Sequence, residues 1–558
     1  MKASEYLIKS FMLEGVNHLF MVPGGHVDNV MAALEKFPDF QGIVAGHEGG
    51  AAMMADGYSK VSGKFGVALG IGGPGITNMM TGITTALSDQ TPLFVITGDP
   101  AIALQGRGTF QDTSPSGFNA NTFLDPVTNK HLSVYHADAL ESQVNLLCRN
   151  MLGMHRGPVQ LSISSDVQKT EVECKPIKLP ELLYHPRFLD HSAAQETGRY
   201  FKGSTKIAIL AGAGSLHSDA TDALVKFAET YEIPVATTLG GKSVFPENHR
   251  LSLGVFGWFG NPRAMETILS DDLEVLIVLG SHLNQMSTVK WSPKFLPKKA
   301  LIINDIDAGS YFGNFRPDLF VLGDAKTYLE NLIQSAEDNL EKSRAARKKW
   351  VDKITQINPN FYDTDDLTKD AVPLYPARVI KALRDVMPKN TILFSGEGAT
   401  GFCASHYWTC YGPGQHFTQV KSMSPMGWSI AAAIGGKFAK PDVPVVSIIG
   451  DGSMLMHGLE IQTAARYNLP VIFVSMDNGA HGNPQLRARQ VGKFETEFLN
   501  LPHHDWVKIA EGLGLVGIVV EKPEQLKPAF ERALKLNKAV LIHIKVGNYS
   551  APVKFPPV

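Results

Sequence analysis

The sequence predicts an α/β protein built from three doubly wound parallel-sheet domains, and three features of the chain predict it. Short segments that are apolar along their whole length recur, each runs into a glycine turn, and each turn leads into a helical stretch. Strands without polar alternation are buried on both faces, as in parallel sheets covered by crossover helices. The rhythm also lapses twice, which divides 558 residues into three units of ordinary domain size.

The opening MKASEYLIKSFMLEGVNHLF reads as an amphipathic helix running into a strand. Glu5, Lys9, Glu14 and His18 interrupt its apolar residues, which argues against a signal peptide. HLFMVPGG (18–25) then precedes the helical HVDNVMAALEKF, QGIVAGHEGG (41–50) precedes AAMMADGYSKV, and FGVALGIGGPG (65–75) precedes ITNMMTGITTALSD. PLFVITGD (92–99) and PVQLSIS (158–164) continue the pattern. The proline-punctuated EVECKPIKLPELLYHPRF reads as a linker. A second block holds KIAILAGAG (206–214), IPVATTLGG (233–241), LEVLIVLG (273–280) and ALIINDID (300–307). The charged helical run EDNLEKSRAARKKWVDKI and the polar stretch up to Pro373 close it. A third block holds TILFSGEG (391–398), VPVVSIIGDGS (443–453), LPVIFVSMDN (469–478) and AVLIHIKV (539–546). The expected domains are residues 1–168, 190–335 and 372–547, with the tail GNYSAPVKFPPV laid across a surface.

Composition narrows the function classes. Hydrophobic residues at 44% and charged residues at 19% suffice for several cores. A net charge of −2 without a Lys/Arg stripe argues against a nucleic-acid partner. Cys148, Cys174, Cys403 and Cys410 form neither a Cys-x-x-Cys pair nor a Cys/His set, so no disulfide framework or zinc site is expected and the compartment is read as cytoplasmic. No apolar run reaches the length of about eighteen residues that spans a membrane.

The chemistry concentrates in GDGSMLMHGLEIQTAARYNLPVIFVSMDN, residues 450–478. Ligands of doubly wound sheets sit at the carboxyl ends of the strands, where helix N-termini point. Asp451 falls there, directly after the apolar VVSIIG, and its flanking glycines allow a sharp turn and close approach to a bulky anion. A helix then returns the chain to a neighbouring strand that ends at Asn478. Adjacent strands lie about 5 Å apart, so both side chains can reach one ion. A carboxylate, an amide oxygen and a loop carbonyl are the hard ligands that Mg²⁺ or Ca²⁺ takes.

GDGS, the 27-residue step from Asp451 to Asn478 and the intervening QTAARYNLPV resemble the cofactor motif of thiamine-diphosphate enzymes. The rest resembles the acetolactate synthase/pyruvate oxidase superfamily over nearly the whole chain. GHEGGAAMMADGYSKVSGK (46–64) is similar to that family's glutamate segment, and GGPGITNMMTGITTALSDQTPLFVITGD (72–99) to its glycine-rich loop and following helix. SPMGWSIAAAIGGKFA (424–439) is similar to the segment beneath the thiazolium ring. The resemblance implies thiamine diphosphate and Mg²⁺ as cofactors. Asp451 and Asn478 would hold the metal through side chains and Ala480 through its carbonyl. Asp477 stands where the family usually has the first residue of an Asn-Asn pair, a position that is not a ligand. Gly73, Gly450, Gly452 and Ser453 would border the coenzyme, Met426 would push between its rings, and the Ser424 carbonyl would accept from its 4′-amino group. Glu48 would share a proton with N1′ of the pyrimidine. The bent coenzyme then serves as its own base by proximity, and its thiazolium is the electron sink.

The same resemblance addresses the substrate, a small molecule. His26 in GGHVDNV resembles the benzaldehyde-lyase pattern, in which a histidine moves protons. Phe110 and Gln111 in GTFQDTS match the Phe-Gln that acetolactate synthases and carboligases bring from a neighbouring subunit. The third specificity loop, GAHGNPQLRARQVGK (479–493), departs from the synthase pattern and offers His481 and Asn483. Pro484 occupies the place of the catalytic glutamate of simple pyruvate decarboxylases. The catalytic candidates are therefore Glu48, His26, Gln111 and His481. In the central domain GSHLNQMSTVKW lacks the arginine-bearing pattern of flavin-binding relatives, so a flavin-free domain without FAD is expected. An acetolactate-synthase-like carboligase/decarboxylase is the first reading and a benzaldehyde-lyase-like acyloin lyase the second. A silent cofactor-binding regulatory protein is the third, opposed by the intact Glu48, Asp451 and Asn478. The resemblance also implies a homodimer or homotetramer with active sites between subunits.

Overall fold

A computed structural model describes residues 1–335, 340–419, 423–491, 497–547 and 549. It contains three six-stranded sheets, and every strand pair in them is parallel. The first comprises β1 (His18–Met21), β2 (Gln41–Val44), β3 (Gly66–Ile71), β4 (Leu93–Asp99), β5 (Lys130–Val134) and β6 (Pro158–Ser164). The second comprises β7 (Ile207–Ala211), β8 (Val235–Thr238), β9 (Ser252–Phe256), β10 (Val275–Leu279), β11 (Ala300–Asp305) and β12 (Leu319–Leu322). The third comprises β13 (Ile392–Ser395), β14 (His416–Thr418), β15 (Val445–Gly450), β16 (Val471–Asp477), β17 (Val516–Val520) and β18 (Val540–Lys545). Helices return the chain between strands, as the burial of β4, β6, β10 and β16 at every position requires.

The first and third sheets share one strand order, β2-β1-β3-β4-β6-β5 and β14-β13-β15-β16-β18-β17. They are copies of one architecture. The central order, β12-β11-β10-β7-β8-β9, is that of a dinucleotide-type fold with its reversal between β7 and β10. The copies share a hydrophobic core, in which the helix Glu48–Ser62 crosses the helix Trp428–Ala439. Glycines permit this approach: a Cβ at Gly57 would lie 2.1 Å from the Ala432 carbonyl oxygen, and one at Gly435 would lie 1.8 Å from that of Met54. The Trp428 indole donates to Asp56 at 2.8 Å, and Lys60 closes the same group with Asp56 and Asp89.

The stretch read as a linker is tethered to the first domain. Val172, Ile177, Leu179 and Tyr184 are buried there. Glu14 is buried because its carboxylate accepts from the Leu179 amide and the Tyr184 hydroxyl. Residue 548 and residues 550–558 of the tail lie outside the described residues, as do residues 336–339 within the charged run. Among the described residues no helix is long and apolar enough to cross a membrane.

Candidate coenzyme site

β15 and β16 pair in the register Gly450↔Met476, so Asp451 and Asn478 leave the sheet side by side. Asp451 is the first residue of the helix Asp451–His457 and is buried. Its Oδ1 accepts from the Gly452 amide at 2.9 Å and its Oδ2 from the Ala480 amide at 3.1 Å. Ala480 is fixed by its neighbours: the His481 amide donates to the Leu499 carbonyl, and the Leu501 amide to that of Gly479. Burial, then the adjacent Asp477, pushes the Asp451 carboxyl up to about 7. Asp477 resists the same burial because His543 and the Gly479 amide donate to it, and its carboxyl is held below its ordinary range. A carboxylate disfavoured as an anion until a positive charge arrives, beside an amide oxygen and a backbone carbonyl, is a donor set that fits a hard divalent ion.

The crevice beside Asp451 is equally specific. A Cβ at Gly452 would lie 2.8 Å from Met426 Cε and 3.2 Å from the His481 ring, so these two side chains meet over the turn. Ser453, the next residue, is buried. Gly427 holds a φ of +88°, with His457 against it, and Ser424 is held at +45°, an uncommon conformation for a residue with a side chain. Asn483 is half-buried in the first turn of a helix, Gly482–Val491; the stretch read as a loop is helical there, and residues 492 and 493 lie outside the described set. A helix was missed because the Gly-Asn-Pro start resembles a turn, whereas Pro is welcome in the first helical turn.

Sequence reasoning also missed the opposite wall. The helix Gly398–Tyr407 begins at the carboxyl end of β13, and Thr400 Oγ1 lies 3.5 Å from the Cβ position of Gly450. Two helix N-termini, at Gly398 and Asp451, therefore face one turn, an arrangement suited to a diphosphate. Glu397 precedes the first of them. Both its carboxylate oxygens are shut from water without a hydrogen-bond partner among the described residues, and burial pushes it up to about 8. The SGEG that carries it was visible as a strand end, but nothing local marked the carboxylate as enclosed.

The first domain presents a second cluster. Glu48 opens the helix Glu48–Ser62, is buried, and accepts from Asn78 Nδ2 at 2.9 Å. Asn78 sits in the helix Pro74–Asp89 within the glycine-rich segment and was not singled out from sequence. Gly73 takes a φ of +65°, and its Cβ position lies 3.5 Å from Gln111 Cβ. Gln111 is itself at +53°, and its neighbour Phe110 is 76% exposed. His26 is brought to the same edge: its carbonyl oxygen stands 2.2 Å from where Gly98 would carry a Cβ and accepts from Gln168 Nε2 at 2.6 Å. Its Nδ1 is enclosed with no partner among the described residues. Burial is the largest influence on this imidazole and holds it below its ordinary value against Asp99, Asp112 and Asp28. The candidate residues thus form two groups, Glu48, Gly73, Gln111 and His26 on the first domain, and Ser424, Met426, Asp451, Asn478, Ala480, His481 and Asn483 on the third.

Two copies of one parallel-sheet fold, one offering a buried carboxylate and the other a turn whose oxygens suit a hard ion, fit a thiamine diphosphate enzyme. Comparison with known proteins agrees domain by domain. Residues 1–118 match the N-terminal TPP binding domain of thiamine pyrophosphate enzymes, residues 195–332 their central domain, and residues 396–544 their C-terminal TPP binding domain. A probable acetolactate synthase large subunit of Methanocaldococcus jannaschii is 30% identical over 571 residues, covering 100% of this chain and 94% of that protein. The acetolactate synthase large subunit of Haemophilus influenzae is 27% identical over 98% of this chain and 95% of its own length. The acetolactate synthase isozyme 3 large subunit of Escherichia coli is also 27% identical, over 98% and 95% respectively. The chain belongs to the thiamine-diphosphate-dependent enzymes of the acetolactate synthase/pyruvate oxidase superfamily.

The central domain keeps a cavity of about 790 Å³ at the carboxyl ends of β7, β8, β10 and β11. Arg156 is the one Lys or Arg among its lining residues, and its guanidinium already donates to the Tyr184 carbonyl. Asp305, Asp307 and Asp324 are among the lining residues, the last with its carboxylate paired to Arg187 at 2.9 Å.

Proposed function

We infer that this enzyme uses thiamine diphosphate and Mg²⁺ to form or cleave, without oxidation, a C–C bond next to a carbonyl, as an acetolactate-synthase-like carboligase acting on 2-oxo acids. The observation that carries the reading is the convergence of Met426, Gly452 and His481 over Asp451, in a chain similar along its whole length to acetolactate synthase large subunits. Asp451, Asn478 and the Ala480 carbonyl would hold the ion, with the diphosphate at the helix N-termini of Gly398 and Asp451. When bound, the coenzyme supplies a carbon nucleophile and an electron sink. Glu48, steadied by Asn78, holds a proton at the pyrimidine nitrogen. Gln111, Phe110, His481 and Asn483 border the substrate. His26, brought to the same edge as Gly73 and Gln111, would be the residue that moves a proton if acyloin cleavage, the second reading, is the reaction.

The two residue clusters are proposed to meet across a subunit boundary in a homodimer or homotetramer. Large apolar side chains flank both: Leu455, Met456 and Leu459 beside the metal turn, and Phe110 and Phe118 beside Gln111, are exposed in the single chain. Exposed apolar groups of this density mark interaction surfaces. The three folding units are taken as residues 1–168, 190–335 and 372–547, and the free cysteines suit a reducing cytoplasm. Arg156 is the one Lys or Arg lining the central cavity and is engaged with the Tyr184 carbonyl, which supports a reaction without FAD. Incubation with pyruvate, thiamine diphosphate and Mg²⁺ tests the proposal. Mass spectrometry should show CO₂ release and a five-carbon 2-hydroxy-2-methyl-3-oxo acid. No product from a panel of 2-oxo acids and acyloins would refute it.

A further inference from the structure

We propose that Asp477 is a positioning residue of the metal turn, and that its carboxylate, added to that of Asp451, lets the turn hold a divalent ion before any diphosphate arrives. This rests on the function proposed above. Asp477 Oδ1 accepts from the Gly479 amide at 2.8 Å while Asp451 Oδ2 accepts from the next amide, Ala480, at 3.1 Å. Two carboxylates therefore grip consecutive amides of the turn that carries Asn478 and Ala480.

The rest of the environment is built around that carboxylate. Asp477 Oδ2 takes the His543 Nε2 at 3.0 Å and the His503 Nδ1 at 3.4 Å. His543 lies on β18, the neighbour of β16, and is buried, as is Asp477. Gly479 holds a φ of +64°, which favours glycine, and its Cβ position lies 2.7 Å from the His503 ring. An Asn here could still accept from Gly479 but would add no charge. Buried charge is little screened by salt, so a second carboxylate beside Asp451 attracts a cation at the turn more strongly than a surface carboxylate would. Mg²⁺ is usually bound through one or two carboxylates with phosphate oxygens and water completing its shell. A second carboxylate at the turn shifts part of that attraction from the phosphates to the protein.

The experiment is a titration of the coenzyme-free enzyme with Mn²⁺, following free ion by electron paramagnetic resonance. Wild-type protein should bind one Mn²⁺ per chain, and Asp477→Asn should bind it at least tenfold more weakly with an unchanged thermal midpoint. His543→Gln keeps the carboxylate and should stay within about threefold of wild type. Equal Mn²⁺ affinity in wild type and Asp477→Asn overturns the inference, as does wild-type protein that binds no Mn²⁺ alone. Equal losses in both variants, tracking a lowered thermal midpoint, overturn it in favour of a purely structural pair. Calorimetry with thiamine diphosphate plus Mg²⁺ separates the two claims: coenzyme binding that persists while the Mn²⁺ results fail leaves the proposed function standing.

Discussion

Glu48 and Glu397 are both enclosed carboxyl groups, yet their surroundings assign them different behaviour. Glu48 has a donor in Asn78, so its carboxylate keeps a fixed direction when a ring nitrogen approaches. Neither carboxylate oxygen of Glu397 makes a hydrogen bond among the described residues, and burial, opposed by the nearby backbone amides of Glu397 and Gly427, pushes it up to about 8. Its linkage to stability follows from the sign of that shift. The folded-state value is raised above the unfolded one, so folding favours the protonated form. Stability is fully present below the ordinary carboxyl range and is lost as pH climbs towards 8. Glu397→Gln removes that loss. In the coenzyme-free enzyme the variant should match wild type near pH 5 and unfold at a temperature several degrees higher at pH 8, measured by calorimetry at one scan rate. A gain of equal size at both pH values would show that the enclosed charge is not the cause. Such a residue was not legible in sequence. SGEG announces a strand end, but enclosure comes from the distant Met426–Gly427 turn folding over it. Asp451 and Asn478 could be singled out as candidates because each follows an apolar strand, whereas Glu48 and Ala480 were expected only from the family resemblance. Asn78, Thr400 and His543 reach their partners only through the fold.

The strands divide in the same way. β3, β4, β7, β10, β11, β15, β16 and β18 are interior, and each is a largely apolar run that can be picked out by eye. β5, β9, β12, β14 and β17, which the pattern did not reveal, all lie at sheet edges. An edge strand has one neighbour and partial exposure, and KHLSV in β5 or HFT in β14 accordingly mixes polar with apolar residues. Helix pairing carries a complementary signal in glycine. In the helix Trp428–Ala439 an Ala at position 435 would gain up to about 1 kcal/mol of helix propensity. The added Cβ would, however, stand 1.8 Å from a backbone oxygen of the helix Glu48–Ser62, where no side-chain rotation can relieve it. Overpacking of this kind costs about 1–3 kcal/mol or more, so the clash prevails. Gly435→Ala should lower the denaturant midpoint, whereas Gly512→Ala, with nothing within 4 Å of its Cβ position, should leave it unchanged or slightly raised. Equal midpoints for the two would mean that the helices can move apart freely.

At the scale of the whole molecule the two residue clusters raise a question of geometry that variants can answer. If Glu48 of one chain and Asp451 of another serve one coenzyme, a dimer has two sites, each drawing one residue from each chain. A Glu48→Gln chain paired with an Asp451→Ala chain then has one site carrying both lesions and one carrying neither. Were each site built within a single chain, every site of the same mixed dimer would carry one lesion. Each variant alone should be inactive, with losses of at least a hundredfold. Random association of equal amounts makes half the dimers mixed, and half of their sites intact, so co-expression should restore about a quarter of wild-type turnover if the dimer is isologous. Mixing the separately purified proteins should restore less, because exchange requires the apolar surfaces around Leu459 and Phe110 to part. A co-expressed mixture no more active than its components, with mixed dimers shown by native mass spectrometry, would place both clusters in one chain.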